Sequence, residues 1–184
     1  MSLVAGIDPS LTSTGIVILE NGKKISEELV KSKPSGNSYL AETKRLIDIL
    51  TRITAQGTEL ARRLKDIELV VLEGLAFGIQ KTTAIMQLAA IHYGIRMSLE
   101  MEGKKVIIVA PQTLKKFVTS KGNSKKDEMM LETFKRWGVS FSNNDLCDAF
   151  GLGKIGEALI DPKILVGKPQ KDVLELLREQ LPND

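Results

Sequence analysis

Cysteine and long apolar runs are scarce in this sequence, and both absences exclude classes of protein. Cys147 is the only cysteine among 184 residues, so no disulfide can form within the chain. No apolar run approaches the roughly 18 residues that span a bilayer. The start of the chain lacks the basic segment and apolar core of a secretion signal. We therefore expect a cytoplasmic protein that makes no contact with membranes.

Acidic residues are missing from one short segment, although the chain as a whole is nearly balanced, with a formal net charge of +3. The segment 111–126 contains no aspartate or glutamate. Its five lysines are Lys115, Lys116, Lys121, Lys125 and Lys126. Such a local patch is typical of a surface that binds a polyanion. The alternative is a lysine-rich surface that only faces solvent.

The composition and the apolar pattern predict a globular α/β protein. Hydrophobic residues make up 42% of the chain and charged residues 27%, which are ordinary proportions. We expect one domain spanning residues 1–184, with residues 165–184 as a C-terminal helical extension. Strands are predicted at 4–7, 15–19, 24–30, 67–73 and 105–109, with a hairpin turn at Asn21 and Gly22. Helices are predicted at 39–64, interrupted at Gly57, and at 82–102, 125–137, 144–160 and 169–181.

Four carboxylates are placed where the predicted elements begin or end. Asp8 ends the first strand, and Glu73 ends a continuous apolar strand. If these strands are parallel neighbours, both side chains emerge at the same edge of the sheet. Asp145 and Asp148 are three residues apart near a helix start, so they project from one face. Together these residues predict an all-oxygen site for Mg²⁺.

Each carboxylate also has a simpler interpretation. Asp8 precedes proline and serine, which make a good turn on their own. Asp145 could complement the helix dipole, with Asn143 or Asn144 as the cap. Asp148 could be a plain surface acid. Glu73 is the hardest to explain without a function, because a carboxylate that ends an apolar strand needs a partner.

Four blocks of the sequence resemble the RuvC family of Holliday-junction resolvases. In chain order they read GIDPSLTSTGIVIL, VVLEG, PQTLKKFVTSKGNSKKDEMM and DLCDAFGLG. The basic block is the most specific, since it has the family's proline, lysine, glycine and lysine at Pro111, Lys115, Gly122 and Lys126. The resemblance covers most of the chain and implies a ribonuclease H-like fold, a mixed five-stranded sheet flanked by helices.

The resemblance also implies roles for individual residues. The metal-binding catalytic carboxylates would be Asp8, Glu73, Asp145 and Asp148. Lys126 would lie near the scissile phosphate, and the other lysines of segment 111–126 would contact the DNA backbone. The enzyme would use Mg²⁺, with Mn²⁺ as a substitute and two ions per site. It would resolve branched DNA by paired phosphodiester hydrolysis, which leaves 5′-phosphate and 3′-hydroxyl ends.

The resemblance implies a homodimer. The predicted helix Thr82–Glu102 corresponds to the family's dimer helix, and a twofold dimer suits a four-way junction because two symmetric strands are nicked.

The sequence departs from the family pattern at one aromatic position. In the cellular family an aromatic residue follows the strand-end glutamate by three positions. Here Ala76 occupies that position, and Phe77 comes one residue later. Phe77 is therefore either a base-stacking residue or part of the core, and the departure suggests a divergent member of the family, of the phage type for example.

Two further patterns have plain structural interpretations. The segment GLGKIG matches a dinucleotide-binding pattern, but no strand precedes it, so we expect its small residues to allow close helix packing. His92 lies on the apolar stripe of its helix, which favours a hydrogen-bonded histidine in the core or at an interface.

Two other functions remain open at the level of sequence. One is a nucleotide-binding protein of the actin and sugar-kinase type, although the chain has no room for the second lobe that would close on the nucleotide. The other is a catalytically silent module that binds branched DNA. Clustered carboxylates speak against that module, because bare acids repel a phosphodiester unless metal ions intervene.

Overall fold

The computed structural model describes residues 2–34, 36, 38–55, 57–75 and 82–181. Its five strands are β1 Leu3–Asp8, β2 Ser13–Glu20, β3 Lys23–Lys31, β4 Leu69–Glu73 and β5 Val106–Val109. Its seven α-helices within these ranges are α1 Tyr39–Thr54, α2 Glu59–Arg63, α3 Thr82–Met101, α4 Pro111–Thr119, α5 Lys126–Trp137, α6 Asn144–Ile160 and α7 Lys168–Arg178. These elements confirm the predicted α/β class with a mixed five-stranded sheet.

The strands form one sheet in the order β3-β2-β1-β4-β5. The first three strands are antiparallel neighbours, and the turn between β2 and β3 uses positive φ angles of 48° at Asn21 and 85° at Gly22. Asparagine and glycine tolerate this conformation better than other residues, which explains the predicted hairpin. The strand β4 pairs in parallel with β1 and with β5. The carboxyl ends of β1, β4 and β5 therefore meet at one edge.

Each face of the sheet packs against different helices because side chains alternate along a strand. On one face, Ile7 and Ile18 pack with residues of α1 and α3 such as Ile53 and Ile95. On the other face, Val4 packs with residues of α4, α6 and α7. The helix α6 contacts β1, β2 and β4 along its length, and it is buried nearly throughout. The sheet is therefore covered on both sides.

Two helix predictions need correction. The predicted helix 39–64 is two helices, since α1 ends at Thr54 and α2 begins at Glu59. Gly57 lies between them with φ of 101°, a conformation that glycine adopts without strain. The sequence analysis had no helix at α4, where Pro111 was interpreted only as the end of a strand. Proline is instead at the first helical position, where its missing N–H leaves no helical hydrogen bond unmade.

The helix α7 fastens the C-terminal part of the described chain to α4 and to the edge strand β5. The buried side chain of Gln170 donates a hydrogen bond from Nε2 to the carbonyl oxygen of Phe117 at 2.8 Å. Beyond the helix, the side-chain amide of Gln180 accepts from the N–H of Ile108 at 3.0 Å and donates to its carbonyl oxygen at 2.9 Å. Gln180 thus occupies backbone groups of an edge strand that would otherwise be unpaired.

No helix within the described residues is both long enough and apolar enough to cross a membrane.

Candidate functional site

Two carboxyl groups meet at the ends of β1 and β4. Ile7 pairs with Leu72 in the parallel register, so Asp8 and Glu73 follow at neighbouring positions. Asp8 is only 7% exposed, and after burial the neighbouring carboxyl group of Glu73 is the largest cause that raises its pKa. The two strand ends therefore bring two carboxyl groups close together, as expected for neighbouring parallel strands.

The turn after Asp8 is held in place by local hydrogen bonds. The hydroxyl of Thr14 accepts from the N–H of Ser10 and donates to the carbonyl oxygen of the same residue, both at 3.0 Å. The guanidinium of Arg45 donates to the carbonyl oxygen of Leu11. These contacts fix the direction in which the chain leaves Asp8.

The helix α6 brings two further carboxylates to the same place. Asn143 caps the helix, and its Oδ1 accepts from the N–H groups of Asp145 at 2.8 Å and Leu146 at 3.2 Å. Asp145 and Asp148 are one turn apart on the first two turns of the helix. The charges of both residues raise the pKa of Asp8, so the two acids of α6 lie close to the strand-end pair.

Two glycines of the sheet determine how near α6 can approach. A Cβ atom on Gly6 would lie 2.0 Å from the carbonyl oxygen of Ala149, and one on Gly15 would lie 2.3 Å from that of Asp145. Any side chain there would push α6 away from the strand ends. The sequence analysis did not identify these two glycines. Gly6 precedes Asp8 by two residues and so shares its sheet face, which is a signal that could have found it.

Burial and mutual repulsion keep protons on this cluster. Burial is the largest cause that raises the pKa of Asp8, and Glu73 is the next. Burial also raises the pKa of Glu73, although its hydrogen bond with Asp8 opposes the shift. Burial, Glu73 and Asp145 together raise the pKa of Asp148 to about 7. Without a cation, the four carboxylates therefore do not all ionise below neutral pH.

Two lysines of the basic segment lie beside the carboxylates. Lys115 of α4 and Lys126 at the start of α5 each lower the pKa of Glu73 and of Asp148. Lys115 has the larger effect on Glu73, whereas Lys126 has the larger effect on Asp148. Both ammonium groups are therefore near enough to the cluster to stabilise its ionised carboxylates. The sequence analysis had assigned Lys115 only to the DNA backbone.

The other predicted DNA contacts have different surroundings. Lys116 points towards α7, where its Nζ lies 3.3 Å from Oδ2 of Asp172. Lys121 and Lys125 are exposed in and after the loop that joins α4 to α5. That loop is held by the hydroxyls of Thr119 and Ser124, which are 2.7 Å apart. Phe77 lies outside the described residues.

The donor chemistry of the cluster fits a divalent cation, but its arrangement is not a closed coordination shell. All four side chains offer carboxylate oxygens, which Mg²⁺ prefers. A bound cation would weaken the repulsion between these carboxylates. Among the described residues, however, no three histidine, cysteine, aspartate or glutamate side chains are gathered closely enough to hold one metal ion. The carboxyl groups would have to come closer together to coordinate a metal.

The remaining patterns of the sequence are structural. In the segment GLGKIG, a Cβ atom on Gly153 would lie 2.8 Å from Cδ1 of Leu19, and one on Gly156 would lie 2.5 Å from Cγ1 of Val4. Close helix packing is thus confirmed. His92 is buried, and burial lowers its pKa, whereas a hydrogen bond with the backbone of Glu73 opposes the shift, which fits a histidine of the core. Cys147 is fully buried with Sγ 3.3 Å from the hydroxyl of Thr133, which agrees with a packing role.

Comparison with solved structures identifies the fold. The structure of RuvC from Thermus thermophilus in complex with a Holliday junction substrate matches with a TM-score of 0.66 and 20% identity, over 83% of this chain and 90% of that chain. A second structure of Thermus thermophilus RuvC matches with a TM-score of 0.64 and 23% identity, over 82% and 90%. No protein-family model and no curated protein matches the sequence. The chain therefore has the ribonuclease H-like fold of RuvC, at low sequence identity.

Proposed function

From this fold and its cluster of acids we propose that the protein is a metal-dependent, structure-selective endodeoxyribonuclease that resolves four-way DNA junctions by paired nicks. The observation that carries the proposal is the meeting of Asp8, Glu73, Asp145 and Asp148 at one sheet edge, flanked by Lys115 and Lys126. Repelling carboxylates are costly to bury together, which favours a function that requires them.

The four carboxylates would hold the Mg²⁺ ions, or Mn²⁺ in their place. Bound divalent ions supply an activated water and neutralise charge on the phosphoryl group and on the leaving oxygen. For this, Asp8 and Glu73, whose pKa values are raised, must be ionised. Asp148 must also be ionised, and its pKa of about 7 favours activity at neutral and higher pH.

The lysines bind and position the DNA strand in this proposal. Lys126 begins α5 beside Asp148, so its ammonium can offset the negative charge that builds on the phosphoryl group. Lys115 approaches Glu73 from α4 and would hold a neighbouring phosphate. Lys121 and Lys125 would contact the backbone further along without reading sequence. Lys116 would do so only after leaving Asp172.

A second copy of the chain would complete the enzyme. Resolution needs two nicks related by a twofold axis, and the described part of one chain brings together one such carboxylate cluster. The helix α3 carries a stripe of exposed apolar side chains on the surface of the single chain, formed by Met86, Tyr93, Met97 and Met101. Ile95 and Leu99 of the same helix are core residues. We assign the exposed stripe to the homodimer.

A catalytically silent junction-binding protein is the second candidate. The observation that favours it is the lack of a ready metal-binding group among the described side chains. Such a protein would bind branched DNA through the lysines and leave the phosphodiester intact.

The test is nicking of a labelled, immobile four-way junction and of the matching duplex, with Mg²⁺ or Mn²⁺. We expect paired nicks near the crossover and no cleavage of duplex by the wild type. Asp8→Asn and Glu73→Gln should abolish nicking but retain junction binding. Glu68→Gln is the matched control, because this exposed glutamate immediately precedes β4 at the opposite edge of the sheet. Binding without nicking under either metal would favour the silent module.

A further inference from the structure

We propose that the end of β3, at Lys31 and Lys33, is a second binding surface for DNA phosphates, across the sheet from β5 and α4. This inference rests on the proposed function, because it takes DNA as the ligand. It adds residues outside the basic segment 111–126. These two lysines have no acidic partner within the described residues, and both are exposed.

The sheet topology places these lysines at the edge that carries the site. Because β1 and β3 both run antiparallel to β2, they are parallel to each other, and their carboxyl ends lie on the same edge. The strand β1 ends at Asp8, and β3 ends at Lys31. Two strand spacings separate them, which is about 10 Å across the sheet.

The register puts Lys31 on the same face as the carboxylates. Asp8 pairs with Gly15, which lies under α6, and Ser13 pairs with Lys31 two residues further along β2. Side chains two residues apart in a strand share a face. Lys31 therefore belongs to the α6 face of the sheet, as Asp8 does. Lys31 lies two residues beyond the level of Asp8, towards the edge of the sheet where the carboxyl ends of β1 and β3 lie.

Hydrogen bonds fasten this end of β3 to the turn that follows Asp8. The N–H of Ser32 donates to the carbonyl oxygen of Thr12 at 3.0 Å. Arg45 bridges the two segments, since its Nε donates to Oγ of Ser32 at 3.0 Å and its Nη2 donates to the carbonyl oxygen of Leu11. The lysines thus have a fixed backbone position relative to Asp8. Arg45 is a positioning residue here, and it adds a third positive charge.

The charges along the edge then form a continuous order. Lys115 lies on α4, which follows the far edge strand β5, Asp8 and Glu73 end the central strands β1 and β4, and Lys31 and Lys33 lie at the end of the other edge strand, β3. The nearest acids to these last two in the chain are Glu28, on β3, and Glu42, in the first turn of α1. A DNA strand whose scissile phosphate lies at the carboxylates would place its next phosphates over positive charge in both directions. Bare acids would otherwise repel the strand on the β3 side.

The experiment measures DNA binding by fluorescence anisotropy in EDTA, with a labelled four-way junction, over a series of salt concentrations. The test variant is the double substitution Lys31→Ala with Lys33→Ala. The matched control is Lys23→Ala with Lys65→Ala, which removes two exposed lysines from the opposite edge of the sheet. Melting temperatures of all three proteins are compared to check that the fold is retained.

We expect the test variant to bind about ten-fold more weakly near 0.1 M salt. The slope of log K against log salt should fall by about 0.9 for each phosphate contact that is lost. The control should match the wild type, and Lys31→Arg with Lys33→Arg should restore binding. A test variant with the affinity and salt slope of the control would overturn the proposal, as would a wild type that binds no DNA.

The same variants separate this inference from the proposed nuclease activity. Junction binding that depends on Lys31 and Lys33, without nicking in Mg²⁺ or Mn²⁺, would support the binding surface at β3 and contradict the proposed nuclease activity. Normal nicking together with unchanged binding by the test variant would support the nuclease activity and contradict the binding surface at β3.

Discussion

At the scale of single residues, the carboxyl groups of the cluster repel one another when ionised, and a bound cation would weaken this repulsion. Asp8 is buried beside three other acids, and Asp148 has a pKa of about 7 because of burial and of its acidic neighbours. Lys115 and Lys126 offset only part of the repulsion. The cluster is therefore a place where the fold gives up stability, as functional sites commonly do.

The raised pKa values of the cluster predict how the free energy of unfolding depends on pH. In the unfolded chain, the carboxyl group of Asp148 releases its proton near its ordinary pKa of 3.8, whereas in the folded chain it keeps the proton up to about pH 7. The folded state thus binds more protons between these values, so the free energy of unfolding falls as pH rises through this window. The raised pKa values of Asp8 and Glu73 act in the same direction.

We expect the melting temperature in EDTA to fall between about pH 5.5 and pH 8. The expected loss is about 1–3 kcal/mol, since one pKa unit corresponds to about 1.4 kcal/mol. Mg²⁺ should raise the melting temperature, and more so at pH 8, because it binds the ionised carboxylates. Fluorescence of the single tryptophan, Trp137, can follow unfolding. In Asp148→Asn, both the fall of the melting temperature with pH and the increase caused by Mg²⁺ should be smaller. A wild-type melting temperature that rises with pH in EDTA would contradict the prediction.

At the scale of elements, the contact between α6 and the sheet sets the geometry of the site. The helix lies directly on β1 and β2 because Gly6 and Gly15 leave no side chain between the backbones. Asp145 and Asp148 are carried on this helix, so their distance from Asp8 depends on that contact. A shift of α6 would change the distances of Asp145 and Asp148 from Asp8 and Glu73.

Gly15→Ala should therefore damage the site as well as the fold. Its Cβ atom would meet the carbonyl oxygen of Asp145 at 2.3 Å, and the backbone of α6 must move to make room. We expect a loss of roughly 2–4 kcal/mol in the free energy of unfolding and nicking below a tenth of the wild-type rate. Thermal unfolding and the junction assay measure these two effects.

Gly94→Ala is the control for this substitution. Its Cβ atom would meet Cδ1 and Cδ2 of Leu50 at 2.7 Å, and these atoms end a flexible side chain that can move. Alanine also raises helix propensity in α3. A wild-type nicking rate in Gly15→Ala would show that the approach of α6 does not set the site.

At the scale of the whole molecule, one surface of the chain is unusually apolar for a charged protein. Met86, Tyr93, Met97 and Met101 form an exposed stripe on α3, at spacings of seven, four and four residues. This stripe borders a cavity of about 490 Å³ that β5 also lines with Val106 and Ile108. A single domain spanning residues 1–184 and a homodimer both stay predictions.

Met97→Glu should separate the two subunits if the stripe is the dimer interface. A glutamate there would place a charge in the centre of an apolar contact, which costs several kcal/mol when it stays unpaired. Light scattering after gel filtration should give the mass of a dimer for the wild type and of a monomer for the variant. The monomer should lose paired nicking but keep its melting temperature in dilute solution. Leu176→Glu is the control, since Leu176 is an exposed leucine on α7.

The sequence by itself determined the parts that depend on neighbours along the chain. The Asn21–Gly22 hairpin, an asparagine cap at position 143 or 144 and the strands that end at Asp8 and Glu73 follow from turn chemistry, capping and apolar pattern. The four candidate carboxylates could be named because their places at strand ends and at a helix start are local features. The helix α4 was missed because its proline was interpreted only as a strand end.

The tertiary structure alone decided what depends on contacts between distant segments. The sheet order brought Lys31 to the edge of Asp8, and α7 drew Lys116 into an ion pair with Asp172. Burial lowered the pKa of His92 and raised that of Asp148. Packing also decided which face of α3 is exposed, since the helix is apolar nearly all round. Such properties arise from desolvation, register and through-space charge, which local patterns do not encode.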